Sequence, residues 1–230
     1  EQMNNLKQEK AFLLTENNIP LDFLTLNYEC KKCKDIGFLS DGKKCKCFQQ
    51  KLINKAYEMS SIGKVLEKEN FQHFDIDIFS DKPFQNEKKT PRQNILSILN
   101  VCEGFVINFD NEPSENLLFY GPTGLGKTFL CNCIAKALLD KGKIVVYQTA
   151  FKIFEIIEAH KFSKTFPADA EMAYRLLFDC DLLIIDDLGA ELTNAFTNTE
   201  LFNILNTRLI QNKKIIISTN LSPQDIANTY

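Results

Sequence analysis

Asn116-Leu117-Leu118-Phe119-Tyr120-Gly121-Pro122-Thr123-Gly124-Leu125-Gly126-Lys127-Thr128 is the stretch that decides how this chain folds. Residues 116–120 form a short apolar run of the kind that makes a buried strand. Residues 121–128 satisfy the pattern G-x4-G-K-[ST] without a mismatch, and Phe129 to Leu139 reads as a helix. A strand, a glycine loop and a helix in that order point backbone N–H groups and a helix N-terminus at a polyphosphate. The pattern therefore predicts nucleotide contacts from Gly121, Pro122, Thr123, Gly124, Leu125, Gly126, Lys127, Thr128 and Phe129. In such loops the lysine, here Lys127, reaches the β- and γ-phosphates of ATP, and the hydroxyl, here Thr128, ligates magnesium.

Working outward, helix and strand alternate from Arg92 onward. A helix is predicted at 92–106, strands at 116–120, 144–148, 182–186 and 214–219, and intervening helices near 127–141, 150–161, 168–179 and 197–212. The strand candidates are apolar runs without strict alternation, as expected of parallel strands covered on both faces. The fold class is α/β, a parallel sheet flanked by helices, with ligand at the carboxyl ends of the strands.

Two further strand ends complete a phosphoryl-transfer site. Asp181-Leu182-Leu183-Ile184-Ile185-Asp186-Asp187-Leu188-Gly189 delivers two acids at the end of an apolar strand. Asp186 is placed on or near magnesium and Asp187 beside the attacking water, against the alternative of a strand ended by a solvated acidic turn. Glu191 ranks second as the base, because a loop residue four positions on has no fixed aim. In Ile215-Ile216-Ile217-Ser218-Thr219-Asn220, Asn220 is the candidate to bind the γ-phosphate or the water, with Thr219 as the lesser one. Lys127, Asp186, Asp187 and Asn220 are thus the catalytic candidates.

Cys30-x2-Cys33-x11-Cys45-x-Cys47 sets four thiolates around the turn formers Gly37 and Asp41-Gly42. Four paired soft ligands suit a closed tetrahedral zinc site; a redox pair at Cys30 and Cys33 is the alternative. The other cysteines, Cys102, Cys131, Cys133 and Cys180, lie in apolar contexts and read as buried thiols of a reducing, cytoplasmic compartment. Lysines 31, 32, 34, 43, 44, 46, 51 and 55 crowd this region against Glu29, Asp35 and Asp41. That patch suits phosphates, an acidic partner surface or plain solvation.

Bulk composition excludes other classes. Net charge is −3, so there is no global basic field to hold nucleic acid. No apolar run approaches membrane-spanning length, so no membrane partner is expected. Residue 1 is Glu rather than Met, which suggests a trimmed or processed N-terminus. Residues 1–27 read as a helical, partly amphipathic segment interrupted at Pro20, with Phe12, Leu13, Leu14, Ile19, Phe23, Leu24 and Leu26 in need of a packing partner. A helix with a break at residues 60–63 follows over 49–66, and the polar stretch 67–91 is the candidate junction. The expected division is 1–70, a helical and four-cysteine zinc module for partner binding, and 71–230, the nucleotide-binding core.

The three site motifs together resemble the AAA+ ATPases. Asp186-Asp187-Leu188-Gly189-Ala190-Glu191, the helix from Glu200 to Arg208 and Ile217-Ser218-Thr219-Asn220-Leu221 are similar to the DnaC/DnaI-type helicase loaders and their relative IstB. The resemblance covers roughly Phe71 to the end, and the cysteine module looks like that of loader relatives. It implies a RecA-like core with strand order 5-1-4-3-2, of which the first four strands can be found here. The C-terminal part of the family domain, with an arginine finger and a second sensor arginine, is expected beyond Tyr230. Slow ATP hydrolysis by this chain alone follows. The usual catalytic Glu of the wider family is Asp187 here, one methylene shorter, which suits a switch. The implied function is an ATP-dependent replicative helicase loader in the primosome, binding the helicase through the zinc module, single-stranded DNA through the core, and copies of itself. The alternatives are an IstB-like transposition helper on duplex DNA and a nucleotide-binding adaptor with little turnover. Three positions keep open roles: Phe151 with Lys152 as a stack for single-stranded DNA or, with Phe154, as helix core; Phe71 and Phe74 near the adenine or at the junction; Arg208 as a trans-acting arginine or the partner of a helix-face acid.

Overall fold

The computed structural model describes residues 2–20, 23, 26, 28–60, 62–85, 87–111, 115–162 and 168–230. The chain separates into two units, Glu1–Phe48 and Gln49–Tyr230.

In the first unit, α1 (Gln2–Glu16) is shorter than the helical segment read from sequence. Asn18 ends it in the left-handed region (φ 55°), where Ile19 N–H donates to the Leu14 carbonyl at 2.8 Å and Asn18 N–H to that of Thr15 at 3.1 Å. That pair of bonds satisfies carbonyls a helix C-terminus otherwise leaves bare. Positions 21, 22, 24, 25 and 27 of the expected helix lie outside the described residues. Residues 37–45 make a small hairpin: Phe38 bridges Lys44, Leu39 N–H donates to Lys43 at 2.8 Å, and Cys45 N–H to Gly37 at 2.8 Å. α2 (Lys46–Ser60) begins at the end of this unit.

The second unit is built on a parallel sheet of β1 (Leu117–Tyr120), β2 (Val145–Thr149), β3 (Leu182–Leu188) and β4 (Lys214–Thr219), in the order β1-β4-β3-β2. That is the 1-4-3-2 portion of the strand order implied by the sequence. β2, β3 and β4 are buried almost throughout, as their continuous Val, Ile and Leu content dictates. β1 is an edge strand and alternates, leaving Leu118 and Tyr120 exposed. α4 (Pro91–Ile107) and α5 (Lys127–Asp140) bury Ile95, Cys102, Phe105, Leu130, Ile134 and Leu138 against the sheet. Thr90 and Gln93 cap α4 reciprocally, with Pro91 in the first turn where its missing N–H costs nothing. α6 (Ala150–Phe162), α7 (Ala168–Asp179), α8 (Ala195–Ile210) and α9 (Pro223–Thr229) complete the α/β alternation. Among the described residues, no helix is long and apolar enough to cross a membrane.

Two parts of the polar stretch 67–91 fold as 3-10 turns, Phe71–His73 and Ile76–Ile78, and lay Phe71, Phe74, Ile76 and Phe79 on the core. Arg92 holds this segment down by donating from Nε to the Phe79 carbonyl (3.0 Å) and pairing with Asp81 (2.8 Å). The C-terminal end of α2 packs with this unit as well. Ser60 Oγ accepts the Tyr147 N–H of edge strand β2 at 3.0 Å, and Gln148 Nε2 donates to the Met59 carbonyl at 2.6 Å. Helix α2 thereby covers backbone that an edge strand leaves open. α3 (Gly63–Leu66) follows, with Leu66 in the core.

Arg208 adopts neither role weighed from sequence. It is fully buried, and its guanidinium donates to the carbonyls of Leu177 (3.0 Å), Phe178 (3.1 Å), Cys180 (3.1 Å), Asp181 (3.4 Å) and Lys214 (2.8 Å). It caps the C-terminus of α7, where a cation opposes the negative end of the helix dipole, and ties that turn to the start of β4. Arg208→Met strips the charge from five backbone carbonyls, in bonds of which three are buried and two partly buried. The expected loss is about 3 kcal/mol or more, or about 6–12 °C in Tm for a chain of this size, read by thermal unfolding. A shift under about 3 °C would contradict the structural role given to Arg208.

Candidate functional site

The glycine loop joins β1 to α5 at the carboxyl end of the sheet. Gly124 and Gly126 take φ values of 85° and 86°, a region that side chains with a Cβ enter at a cost, so the loop requires glycine there. Gly126 is also the N-cap of α5, whose first residues are Lys127 and Thr128. Lys127 Nζ donates to the carbonyls of Gly121 (2.8 Å) and Pro122 (3.0 Å) and to Asn220 Oδ1 (2.9 Å). Thr123 Oγ1 lies 3.5 Å from the same Asn220 oxygen. Asn220, at the end of β4, therefore meets the loop as the sequence reading requires.

Asp186 is the centre of the site. It is buried near the end of β3, and Thr128 Oγ1 lies 3.3 Å from both of its carboxylate oxygens. Tyr147 OH donates to Oδ2 at 2.5 Å, and Ser218 Oγ donates to Oδ1. Its neighbour Asp187 is more exposed and sits at φ 54°. Partial burial raises the Asp187 carboxyl above its ordinary range, the Asp186 charge adds to the rise, and Lys127 opposes it. A carboxylate made more basic in this way is a better proton acceptor. Glu191, the second candidate, is engaged elsewhere: it accepts Gly189 N–H at 2.9 Å and the Tyr230 hydroxyl.

The structure thus brings Lys127, Thr128, Asp186, Asp187 and Asn220 to one end of the sheet. Phe129 points into an aromatic group, edge-on to Phe74 at 5.5 Å, and Phe74 in turn stacks on Phe79 at 6.0 Å. A groove of about 510 Å³, lined by Phe79, Pro91, Tyr120, Leu125 and Lys127 among others, adjoins the loop. On α6, Phe154 is buried and Phe151 is exposed, so the two aromatics weighed together from sequence part company. Lys152 beside Phe151 pairs with Glu155 at 2.7 Å.

Tyr147 and Ser218 escaped the sequence reading. Both left a signal. A tyrosine inside a buried apolar strand needs a partner for its hydroxyl. Ser218 is a polar residue at the end of the apolar run Ile215-Ile216-Ile217, and in a buried strand it likewise needs a hydrogen-bond partner.

In the first unit, the four sulfurs of Cys30, Cys33, Cys45 and Cys47 lie within 4.8 Å of one another, with Cys30–Cys45 at 3.7 Å and Cys33–Cys47 at 3.3 Å. A tetrahedron of thiolates about 2.3 Å from zinc has sulfur–sulfur edges of about 3.8 Å, so the donor set and its spacing fit. The Asp35 carboxylate braces the first pair by accepting the N–H groups of Glu29 (3.1 Å) and Cys30 (2.8 Å). The Cys33 backbone N–H, with neighbouring donors, draws the Cys30 thiol down to about 6, whereas the Cys33 side chain holds Cys47 up at about 12. Zinc ligation requires thiolates, and a cation among these four sulfurs would favour them.

A strand–glycine loop–helix unit facing a buried acid on β3, with β4 standing between the two parallel strands, defines a P-loop nucleotide-binding domain of the AAA+ type. Residues 105–229 match the Bacterial DnaA ATPase domain, and the chain belongs to that family. It is 30% identical to the chromosomal replication initiator DnaA of Wolinella succinogenes over 66% of this chain and 37% of that protein. For DnaA of Lachnoclostridium phytofermentans the figures are 36% identity over 48% of this chain and 24% of the relative. The chain therefore spans between a quarter and two-fifths of these relatives' length. Among solved structures, the DnaC helicase loader superposes with TM-score 0.55 at 24% identity, covering 72% of this chain and 89% of DnaC. DnaI gives 0.52 at 20%, covering 72% of this chain and 79% of DnaI. DnaA bound to AMPPCP and single-stranded DNA gives 0.50 at 23%, covering 58% of this chain and 40% of DnaA.

The remaining cysteines set up a direct check on the packing behind this site. Burial pushes the thiols of Cys102 and Cys133 up to about 12 and those of Cys131 and Cys180 up as well. In native protein at neutral pH these four are expected to resist alkylation, becoming reactive only on unfolding, as read by mass spectrometry. Modification of Cys131 in folded protein would contradict the placement of α5 against the sheet.

Proposed function

We propose that this chain is the ATP-binding core and zinc module of a replicative helicase loader. The observation that carries the nucleotide half is the meeting of Thr128 with Asp186: the phosphate loop and the acidic strand close on one point. The Thr128 hydroxyl and the Asp186 carboxylate oxygens, 3.3 Å apart, are close to the edge of about 2.9 Å expected between neighbouring ligands of magnesium. Magnesium held there would neutralise charge on the transferring phosphoryl group. Lys127 exchanges its bonds to Gly121, Pro122 and Asn220 for phosphate oxygens. The apolar groove beside Tyr120 and Leu125 receives the base. Asp187 accepts a proton from the attacking water as its oxygen bonds to the γ-phosphorus and ADP leaves. Asn220 orients the water or the γ-phosphate. Asp187 is one methylene shorter than the usual glutamate, and its shorter reach to the water gives slow turnover, so that ATP acts chiefly as a switch.

The loader half of the reading draws support from two features. The chain's fold extends over most of the DnaC and DnaI chains but under half of DnaA. It also carries the four-cysteine cluster whose sequence resembles the module of loader relatives, with a geometry suited to structural zinc. We assign helicase binding to residues 1–48, whose helix α1 exposes Met3, Leu6, Phe12 and Leu13. Single-stranded DNA is assigned to exposed Phe151 with Lys152, an aromatic and a cation suited to stacking and phosphate contact. Self-assembly proceeds through the AAA+ core, and the work is cytoplasmic.

The test is the mass, by light scattering, of the protein mixed with the replicative helicase of the same organism. With ATP a stoichiometric complex is expected, and it is lost on deleting residues 1–48 or on replacing Cys33 and Cys45 with serine. The deletion stops at residue 48 because the later part of α2 supports β2. No complex with or without ATP would contradict the loader reading and direct attention to duplex DNA and a transposase.

A further inference from the structure

The acidic pair sits in a break of the β3–β4 ladder. Ile185 pairs with Ile217 and Leu188 with Thr219. Between those pairs β3 supplies two residues, Asp186 and Asp187, and β4 supplies one, Ser218. This is a bulge, and a bulge re-aims side chains while orphaning a backbone group. Asp187 bears the strain, with its φ of 54° in the left-handed region that residues other than glycine seldom enter. Its N–H donates to Ser218 Oγ at 3.0 Å in place of a ladder carbonyl. The same oxygen donates its own proton to Asp186 Oδ1. A serine hydroxyl has one proton to give and lone pairs to receive, so both bonds form at once. Thr219 closes the other side of the bulge by donating to the Leu188 carbonyl at 2.6 Å. Ser218 is wholly buried, so water cannot replace it.

We propose that Ser218 is the positioning residue of the acidic pair: its single hydroxyl bridges the bulge and fixes the directions in which Asp186 and Asp187 point. The inference rests on the reading of the site as one for nucleotide with magnesium. It goes beyond that reading by making the strand β4 serine, rather than its neighbours Thr219 and Asn220 alone, a determinant of the metal-binding carboxylate. Tyr147 holds the other carboxylate oxygen of Asp186 but does not bridge to Asp187 as Ser218 does, and so provides an internal contrast.

The experiment measures affinity for a fluorescent ATP analogue with magnesium and with EDTA, using intact protein and its Ser218→Ala, Ser218→Thr and Tyr147→Phe variants. Native protein should bind more tightly with magnesium. Ser218→Ala should keep its EDTA affinity within about twofold and lose roughly tenfold of the magnesium gain, the effect of one hydrogen bond to a charged group. Ser218→Thr, which keeps the hydroxyl, should retain the gain, and Tyr147→Phe should lose less of it than Ser218→Ala. If Ser218→Ala does not melt cooperatively, Ser218→Cys replaces it, being similar in size and a weak donor. A wild-type magnesium gain in Ser218→Ala or Ser218→Cys overturns the proposal, as does an equal loss in Ser218→Thr. Native protein that binds no nucleotide under either condition overturns the reading beneath it instead.

Discussion

Asp186 is a carboxylate held almost wholly out of water at the end of an apolar strand, and most of the site's geometry follows from satisfying it. Burying such a group without partners costs more than a fold of this size can tolerate. Three hydroxyls meet the need, from Thr128 on α5, Tyr147 on β2 and Ser218 on β4. Each comes from a different element packed against β3. The carboxylate thereby fixes the glycine loop and both neighbouring strands relative to one another. The same oxygens are where a divalent cation would bind, so stability and chemistry share one set of contacts.

The glycine loop answers a second constraint. A backbone that turns its N–H groups inward around a phosphate must pass through left-handed conformations, which Gly124 and Gly126 supply. Lys127 is satisfied by carbonyls of that loop and by Asn220. Its contact with Asn220 links the first and last strands of the site. On the proposed reading, a phosphate entering the loop would compete for the same ammonium group and so release Asn220 at the end of β4.

Much of this was legible in the residues. The strands were placed within two residues of their ends because parallel strands covered on both faces are continuous apolar runs, and the loop motif sets the register of everything after it. The strand order came from the resemblance, since no local pattern states which strand lies beside which. Other features left weaker traces. Arg208 reads from sequence as a trans-acting arginine or the partner of a helix-face acid, because helix periodicity does not reveal five carbonyls waiting on other elements. The final turn of α2 looked like part of the N-terminal module, yet Ser60 caps β2, a tertiary bond with no sequence signature. The bulge at Asp186 and Asp187 was invisible because a one-residue mismatch belongs to the pairing of two strands rather than to either strand alone. The α/β fold, the strand–glycine loop–helix unit and the AAA+ class were therefore readable, whereas the match to the DnaA ATPase domain was not read and the residues that aim the acids required coordinates.

The most direct measurement is a crystal structure of the protein with a non-hydrolysable ATP analogue and magnesium. The triphosphate is expected along the backbone N–H groups of residues 121–128, with Lys127 turned onto the phosphates and the metal between Thr128 and Asp186. A triphosphate bound elsewhere, or a metal that ignores Asp186, would contradict the assignment of these strand ends as one nucleotide site.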